Sequence, residues 1–504
     1  MAVRPYFYLC ILLLGFARDG RATSAHERPK AKPLAPSTLA ISTPSAAAKN
    51  LFEKGMADYL NQKPELALES WRAAASKDPN CTLFSAFISF TTIDPNEERR
   101  TADAGKRLGG CLSPGEKLLS KWMINTREDN YVVGIAAMND LVVMYPKDKR
   151  LLYIAGHWLL NQQSYDLSKK LLERALAVDA RFPGALNDLG KIYAAMGDFP
   201  SAFATMERSV SVLPNDPIPQ HSYAEILRRG GNFEAALEHD RAALKLDPDF
   251  QLAHLGMGDT YALMGEEETA RKEYALAIRG ASEESQRIEE SLQSALTYVR
   301  EAKYRKANAA LEGIALHARD AHLPLLEAEA YRYAAAYQSS DQEALRYAGL
   351  ADAGLEGKQG FSGADVAEEQ ARILELRAIR GTSAGRTDVS HDALEQLSRL
   401  ANRSRSTNIQ RAYDAALGSV LVLEHKELEA IPHLEEDDHN PRSMQQLVMA
   451  YNKTGAPDKA HALEMKIAAI NEPTLEQALV VPELRTRLAA ATKRKNWLSK
   501  IVQH

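Results

Sequence analysis

One amino-acid pattern recurs every 34 residues through the middle of this chain. Gly197, Gly231 and Gly265 lie at this spacing. Further sets keep the same step, each at its own phase: Ala202, Ala236 and Ala270; Tyr193, Leu227 and Tyr261; Ala175, Ser209, Ala243 and Ala277; Gly156, Gly190, Ala224 and Gly258; Pro146, Ala180, Pro214 and Pro248. A repeat of this length indicates one small unit used many times, because a single unit is too short to bury its own apolar face.

Each recurring position has a physical role in a pair of antiparallel helices. Small residues such as Gly190 and Gly258 fall where two helix backbones approach, and they leave room for a bulkier partner such as Tyr274. Gly197 and its equivalents end the first helix, where glycine adopts a left-handed conformation without steric cost. Pro214 cannot continue the second helix and separates one unit from the next. The repeat therefore predicts a stack of helical hairpins.

Composition extends this prediction to the rest of the chain. Hydrophobic residues make up 45% of the 504 residues, charged residues 26% and aromatic residues 7%. Long runs of Val, Ile and Thr bounded by turn residues are nearly absent, so the fold class is expected to be all-α. The net charge of -5 provides no basic stripe to neutralise phosphates, and no nucleic acid partner is expected.

The pattern resembles that of the tetratricopeptide repeat family, which is an aromatic residue or Leu, a Leu-Gly pair, then Tyr, Gly, Ala, an aromatic residue, Ala and Pro. Two units match it best, through Leu186, Leu189, Gly190, Tyr193, Gly197, Phe199, Ala202 and Pro214, and through Met257, Gly258, Tyr261, Gly265, Ala270, Tyr274 and Ala277. This resemblance implies a right-handed superhelical solenoid of antiparallel helix pairs. It also implies that the first helices line a concave, ligand-binding face.

The pattern and the composition divide the chain into five segments. We predict a signal peptide at 1–25, a disordered linker rich in Pro, Ala and Ser at 26–47, an N-terminal repeat array at 48–282, divergent helical repeats at 283–440, and a C-terminal repeat with capping helices at 441–504. Within the divergent segment, longer connections are expected at 354–363 and 381–390. The final capping segment is expected to be interrupted at Pro482.

The prediction of export depends on the first segment. Arg4 and the terminal amine precede an apolar run at 6–16, which is typical of a signal peptide and too short to cross a bilayer. No later run reaches the roughly 18 apolar residues of a membrane span, so no integral membrane segment is expected in the mature chain. We therefore expect an exported protein, periplasmic or extracellular.

Two cysteines remain after removal of the first segment. Cys81 precedes the first helix of a divergent hairpin at 82–114, and Cys111 follows its second helix. Antiparallel helices bring those two ends together, so a disulfide between Cys81 and Cys111 is feasible in an oxidising compartment. The alternative is a pair of separate thiols that pack as small apolar side chains.

The resemblance also implies where a ligand would bind. The positions of the first helices that vary between repeats are the candidates for a peptide-binding groove: Tyr153, His157, Asn161, Asn187, Lys191, His221, Glu225, Arg228, Arg229 and Asp259. No catalytic motif, cofactor motif or metal-ligand spacing is recognised. The dense polar stretch 433–439 reads as a loop rather than a metal site.

The sequence thus predicts an exported scaffold that binds a protein or peptide partner, not an enzyme. One alternative is a subunit of an envelope complex for polysaccharide export or outer-membrane assembly. The other alternative is an enzyme hidden in the divergent region at 283–440, which would require a pocket with convergent titratable groups there.

Overall fold

A computed structural model describes residues 38–92, 94–107, 112–355 and 363–502. These residues contain helices and no strand, which confirms the all-α prediction. The part of the chain from Ser37 onward forms one compact unit. The predicted signal peptide at 1–25 lies outside the described residues, as does most of the predicted linker.

The first fourteen helices of the described residues form seven hairpins. Their bounds are α1 Ala46–Leu60, α2 Pro64–Lys77, α3 Thr82–Thr91, α4 Pro95–Lys106, α5 Pro114–Arg127, α6 Tyr131–Met144, α7 Lys149–Asn161, α8 Tyr165–Val178, α9 Pro183–Ala195, α10 Phe199–Val212, α11 Pro217–Arg229, α12 Phe233–Leu246, α13 Gln251–Met264 and α14 Glu267–Gly280. Each helix packs against the next, and each hairpin packs against its neighbours. This is the repeat stack that the 34-residue period predicts.

The remaining helices continue the stack. Their bounds are α15 Glu284–Arg300, α16 Tyr304–Asp320, α17 Pro324–Ala336, α18 Asp341–Leu355, α19 Gly363–Ser383, α20 Thr387–Ser404, α21 Thr407–Leu423, α22 Glu427–Glu436, α23 Pro441–Lys453, α24 Pro457–Ala468 and α25 Leu475–Val502. Several of them are longer than those of the array, which is why the 34-residue phase is lost there. No helix in the described ranges combines the length and the hydropathy needed to cross a membrane.

The recurring glycines adopt the conformations that their positions predict. Gly197, Gly231 and Gly265 have φ angles of 79°, 80° and 82°, so a left-handed residue follows or ends the first helix of each of these hairpins. Gly258 packs directly against the second helix, because a Cβ atom there would lie 2.7 Å from the ring of Tyr274. Both observations confirm the roles inferred from the repeat.

Three local predictions were wrong. The linker is not disordered throughout, because Leu39 and Ile41 are buried and the Leu39 amide donates to the Asp148 carboxylate at 2.8 Å. The connection expected at 381–390 is short, since α19 continues to Ser383 and α20 begins at Thr387. The capping segment is not interrupted, because α25 continues through Pro482.

The apolar core is divided among several clusters rather than shared by the whole molecule. One cluster covers α1 to α9, and smaller ones follow around α9–α12 and α13–α14. Three others lie within residues 288–484. Leu475 of α25 packs in the same cluster as α15 to α19, so this helix covers the side of α15 as well as the last repeat.

Candidate functional site

The first of the predicted groove residues form a packed patch on α7. Tyr153 is only 1% exposed, and its ring stacks on His157 and lies 5.1 Å from the ring of Phe182, centroid to centroid. The Nδ1 atom of His157 lies 2.8 Å from the buried carboxylate of Asp188. Burial lowers the pKa of His157, but the Asp188 carboxylate more than offsets this, so the pKa is raised. Asn161 is exposed.

A loop of the chain itself occupies part of the surface of α9. The Asn187 amide donates to Oε1 of Gln62 at 2.6 Å, and Lys63 pairs with Asp216 at 2.5 Å. Gln62 lies in the turn between α1 and α2, far from α9 in sequence. Asn187 is therefore 3% exposed and holds this loop in place.

Ion pairs connect the candidates of α9, α11 and α13. Lys191 and Glu225 pair at 2.9 Å, with about a third of each side chain exposed. Burial acts to raise the pKa of Glu225, yet Lys191 and its cationic neighbours lower it to about 2. One repeat further on, Arg228 pairs with Asp259 at 3.2 Å, and both side chains are buried.

Further partners surround this buried pair. The Tyr274 hydroxyl donates to Asp259 at 2.8 Å, and an Arg228 nitrogen donates to the Gly256 carbonyl at 3.2 Å. Between α11 and α12, His221 lies 2.9 Å from Asp240, which is fully buried. Four of the ten groove candidates are thus buried and support the surface from behind: Tyr153, Asn187, Arg228 and Asp259. The groove as a peptide-binding site stays a prediction.

Arg229 belongs to a different arrangement, which joins distant parts of the chain. It pairs with Glu472 at 2.5 Å, 243 residues away. Similar contacts connect α5 and the turns after α5 and α7 with α19 to α21. We call the whole set the latch. It consists of Arg127–Asp365, Asp129–Arg403, Gln162–Ser406, Gln163–Arg411 and Arg229–Glu472. Every pair in the latch is polar.

Beside the latch lies a cavity of about 890 Å³. Its wall combines the end of α9, the start of α10 and Arg229 with side chains from α17, α19 and α21, the turn before α23 and the residues between α24 and α25. This cavity was not predicted from the sequence, because no repeat position links these segments. The only signal was the polar stretch 433–439, of which Asp438 and His439 line the wall.

Charged side chains line the cavity, and most of them are arranged as ion pairs. His439 lies 2.8 Å from Asp438, which also pairs with Lys466 at 3.0 Å. These contacts lower the pKa of Asp438 and raise that of His439. This pairing differs from a nucleophile with an adjacent base, although it places titratable groups in the divergent region. Among the described residues, no group of three or more His, Cys, Asp or Glu side chains could hold a metal ion.

Cys81 is buried against the first cluster, and burial raises the pKa of its thiol to about 11. Such a thiol is unreactive at neutral pH. Its predicted partner, Cys111, lies outside the described residues, so the disulfide stays a prediction.

No protein-family model matches the chain. Among curated proteins, it is 29% identical over 83 residues to the TPR repeat-containing thioredoxin TTL4 of Arabidopsis thaliana. That match covers 16% of this chain and only 12% of the relative.

Several solved structures share the helical repeat architecture. Yeast Tom70 is 15% identical, with 83% of this chain and 96% of that one covered and a TM-score of 0.39. The Cut9 and Hcn1 hetero-tetramer of the APC/C is 16% identical, with coverages of 80% and 76% and a TM-score of 0.41. The thermophilic TPR protein TTC0263 of Thermus thermophilus is 24% identical, with coverages of 36% and 98% and a TM-score of 0.31. The 34-residue pattern of this chain and the stacked helical hairpins that it forms give it a tetratricopeptide-type repeat fold, and over 83 residues its sequence is similar to that of a TPR repeat-containing protein.

Proposed function

We propose that this protein is an exported scaffold that holds a protein or peptide partner on the first helices of its N-terminal array. The tetratricopeptide repeat fold serves protein–protein interaction in general. The observation that carries the proposal is a row of polar side chains that remain partly exposed on consecutive first helices: His157 and Asn161 on α7, Lys191 on α9, Glu225 on α11. Side chains at one face of successive repeats form a continuous surface for an extended ligand.

The charge of this row favours a partner with both signs of charge. Lys191 and Glu225 neutralise each other in the free protein, so a purely acidic or purely basic peptide would gain one contact and lose the other. A segment with alternating charges can replace the pair without leaving either group unmatched. Because Arg228 and Asp259 are buried and paired behind the row, they hold its shape rather than contact the partner.

Site-specific photocrosslinking in the native host tests this binding surface. A photoreactive amino acid at Asn161 or Lys191 is expected to capture a discrete partner. The control places the same amino acid at Glu238, which is exposed on the second helix α12 and outside the proposed surface. Equal capture from all three positions, or from Glu238 alone, would contradict the proposal.

A charge-reversal series measures the contribution of the central pair. Lys191→Glu should weaken capture at least about tenfold, because it places two acidic groups side by side and removes a charge-assisted contact. Lys191→Glu combined with Glu225→Lys restores the internal pair in reversed order and should recover folding without recovering capture. Full capture by the double variant would mean that this pair does not contact the partner.

Export rests on the N-terminal sequence, namely Arg4 followed by the apolar run at 6–16. A fusion of residues 1–48 to a reporter that is active only outside the cytoplasm should give activity, and Leu13→Arg should abolish it by interrupting the apolar run. Co-purification with a polysaccharide-export or outer-membrane assembly complex would assign the scaffold to such an envelope machine. A reporter that stays inactive would contradict the proposed export without bearing on the proposed binding of a partner.

A further inference from the structure

Two guanidinium groups on the cavity wall lack an acidic partner within ion-pair distance among the described residues. Arg411 of α21 donates to the amide oxygen of Gln163, and no carboxylate pairs with it. Arg442 lies in the first turn of α23, and its backbone N–H donates to the side-chain oxygen of the N-cap residue Asn440. Its side chain makes no hydrogen bond within the described part of the chain and lines the cavity. Burial lowers the pKa of Arg442, and the acids Glu476 and Glu375 act in the opposite direction.

The other cations of the wall already have carboxylate partners. Arg229 pairs with Glu472, Arg332 with Glu369, Arg372 with Glu369, Arg380 with Asp341, and Lys466 with Asp438. Unpaired cations in a confined, partly desolvated space are unfavourable unless a ligand or water satisfies them. Arg411 and Arg442 therefore stand out as groups available to a bound anion.

The acids nearest to these two arginines oppose an anion only weakly. Burial raises the pKa of Glu375 to about 8, with help from Asp437 and against the effect of Arg442, so Glu375 is mostly neutral at pH 7. The Asp437 carboxylate accepts a hydrogen bond from Ser443 at 2.5 Å, and burial raises its pKa as well. Glu476 is a further acid of the wall that acts on Arg442. One carboxylate against two guanidinium groups leaves an excess of positive charge.

The wall also contains an apolar part. Its members come from both sides of the latch and are Ala194, Met196, Phe199, Leu376, Ile379 and Ile470. A volume of about 890 Å³ falls within the range of sites that enclose a small organic molecule. Mixed apolar and cationic walls suit a ligand with an acidic head and an apolar body.

We propose that this cavity is a binding site for a small organic anion, with Arg411 and Arg442 pairing with its carboxylate or phosphate head. Guanidinium groups recognise both heads through charge-assisted, bidentate hydrogen bonds. Leu376, Ile379 and Ile470 contact its apolar body. Because Gln163, Met196 and Arg229 complete the wall from the N-terminal array, the bound ligand also stabilises the latch. The proposal is independent of the peptide-binding surface on the first helices.

Calorimetry on the purified full chain tests the proposal with four probes: octanoate, octyl phosphate, the neutral octanamide, and inorganic phosphate. We expect saturable binding of octanoate, octyl phosphate or both, below their micelle concentrations, and no comparable binding of octanamide. Binding of octyl phosphate alone would identify a phosphate head, and binding of octanoate alone a carboxylate head. Equal affinity for octanamide, or no binding of either amphiphilic anion at millimolar concentration, would overturn the proposal.

Two kinds of variant locate the site. Arg442→Gln and Arg411→Gln should each weaken binding of the anionic probes at least about tenfold, as expected for loss of a charged contact. Arg399→Gln is the matched control, because Arg399 is 63% exposed on α20 and outside the cavity, and it should bind like the wild type. Met196→Trp adds bulk to the cavity wall without changing either arginine and should abolish binding while the thermal melt stays intact. Undiminished binding in both Arg442→Gln and Met196→Trp would place the ligand elsewhere.

Discussion

Behind the proposed peptide surface, Arg228, Asp259 and Tyr274 form a buried polar group. Arg228 is 5% and Asp259 6% exposed. A charge buried this deeply stays only while its partner remains, because the interior solvates it poorly. The three residues come from α11, α13 and α14, so their interactions connect neighbouring hairpins.

Removal of one partner should therefore destabilise the protein more than removal of a surface ion pair. We expect Asp259→Ala to lower the free energy of unfolding by about 3–5 kcal/mol and Tyr274→Phe by about 1–2 kcal/mol. Lys272→Ala, which breaks an exposed pair with Glu268, should change it by less than about 0.5 kcal/mol. Urea unfolding followed by circular dichroism compares the three. Equal effects of Asp259→Ala and Lys272→Ala would mean that the Arg228 charge is solvated after all.

Glu375 should make the stability depend on pH. Its pKa is about 8 in the folded protein, against an ordinary value of 4.5, so the folded state holds a proton that the unfolded state releases. The resulting stabilisation is complete below about pH 4.5 and is lost as the pH rises through 8. Glu267, Glu289 and Glu290, each with a pKa raised to about 7 mainly by burial, act with the same sign.

Glu375→Gln provides the measurement. The wild type should lose unfolding free energy between about pH 5.5 and about pH 8.5, and the variant should lose less, because its amide does not ionise. The free energy of unfolding of the variant minus that of the wild type should accordingly increase with pH. A difference between the two proteins that stays constant across this range would show that Glu375 is ionised in the folded state.

The sequence predicted some residues of the site better than others for a physical reason. A glycine at a repeat position such as Gly197 is recognisable, because its conformation depends on local backbone geometry. The burial of Arg228 depends instead on Asp259, which lies on another helix, and a charged residue at a variable position looks the same whether it is paired or free. For that reason the buried support and the exposed contacts of the groove were predicted as one set.

At the level of the helices, the packing of each hairpin depends on whether the side chain opposite its small repeat residue can move. Gly190 and Gly258 occupy the same repeat position, but a Cβ atom would meet different neighbours. At Gly190 it would lie 2.5 Å from the sulfur of Met206, and at Gly258 it would lie 2.7 Å from ring atoms of Tyr274. Met206 can change rotamer, whereas Tyr274 is fixed by its hydrogen bond to Asp259.

Alanine at the two glycines should separate these cases. Gly258→Ala is expected to lower the free energy of unfolding by about 1–3 kcal/mol through overpacking. Gly190→Ala should be close to neutral, because the gain in helix propensity of about 1 kcal/mol offsets the displacement of Met206. Thermal and urea unfolding of both variants checks this. A larger loss at Gly190 would mean that the thioether cannot move.

Helix ends were predicted where the stop signal is local, as at Gly265, whose left-handed backbone ends α13. They failed where tertiary contacts decide. Leu39 and Ile41 are two apolar residues in a Pro-rich stretch, so composition alone favours disorder. Both are nevertheless buried in the first cluster, and the Leu39 side chain lies against Gly115 of α5. Gly381 reads as a breaker, but α19 continues past it because its small size allows close contact with Ser390 of α20.

The whole molecule has two halves, the α1–α14 array and the helices after α18. Apolar side chains pack within each half, and polar contacts join the two. No apolar cluster of the described residues contains side chains from both the α1–α14 array and the helices after α18. The latch joins them instead, and its three ion pairs have at least one partner that is substantially exposed, such as Asp365 at 45%. The cavity could not be predicted from the sequence, because it exists only when this long-range closure brings unrelated segments together.

Exposed ion pairs contribute roughly 0.2–1 kcal/mol each, and salt screens them, so the latch should open at high ionic strength. Small-angle X-ray scattering should show a larger radius of gyration at about 1 M than at about 0.05 M NaCl, with unchanged helix content. Combined Arg127→Gln and Arg229→Gln should give the larger value already at low salt, whereas Arg399→Gln should not. An unchanged radius in the double variant would show that other contacts hold the halves together.

The cluster around α13 and α14 is the smallest in the described chain, with only Ala262, Ala270 and Tyr274 fully inside it. The larger clusters lie to either side, in α1 to α9 and from α15 onward. A joint whose contiguous apolar cluster is this small should exchange its amide hydrogens before the larger clusters do, and should yield first under a pulling force. The two larger clusters can then rotate relative to each other about this hairpin, which serves as a hinge. Each keeps its own structure, and the original arrangement returns when the load is released.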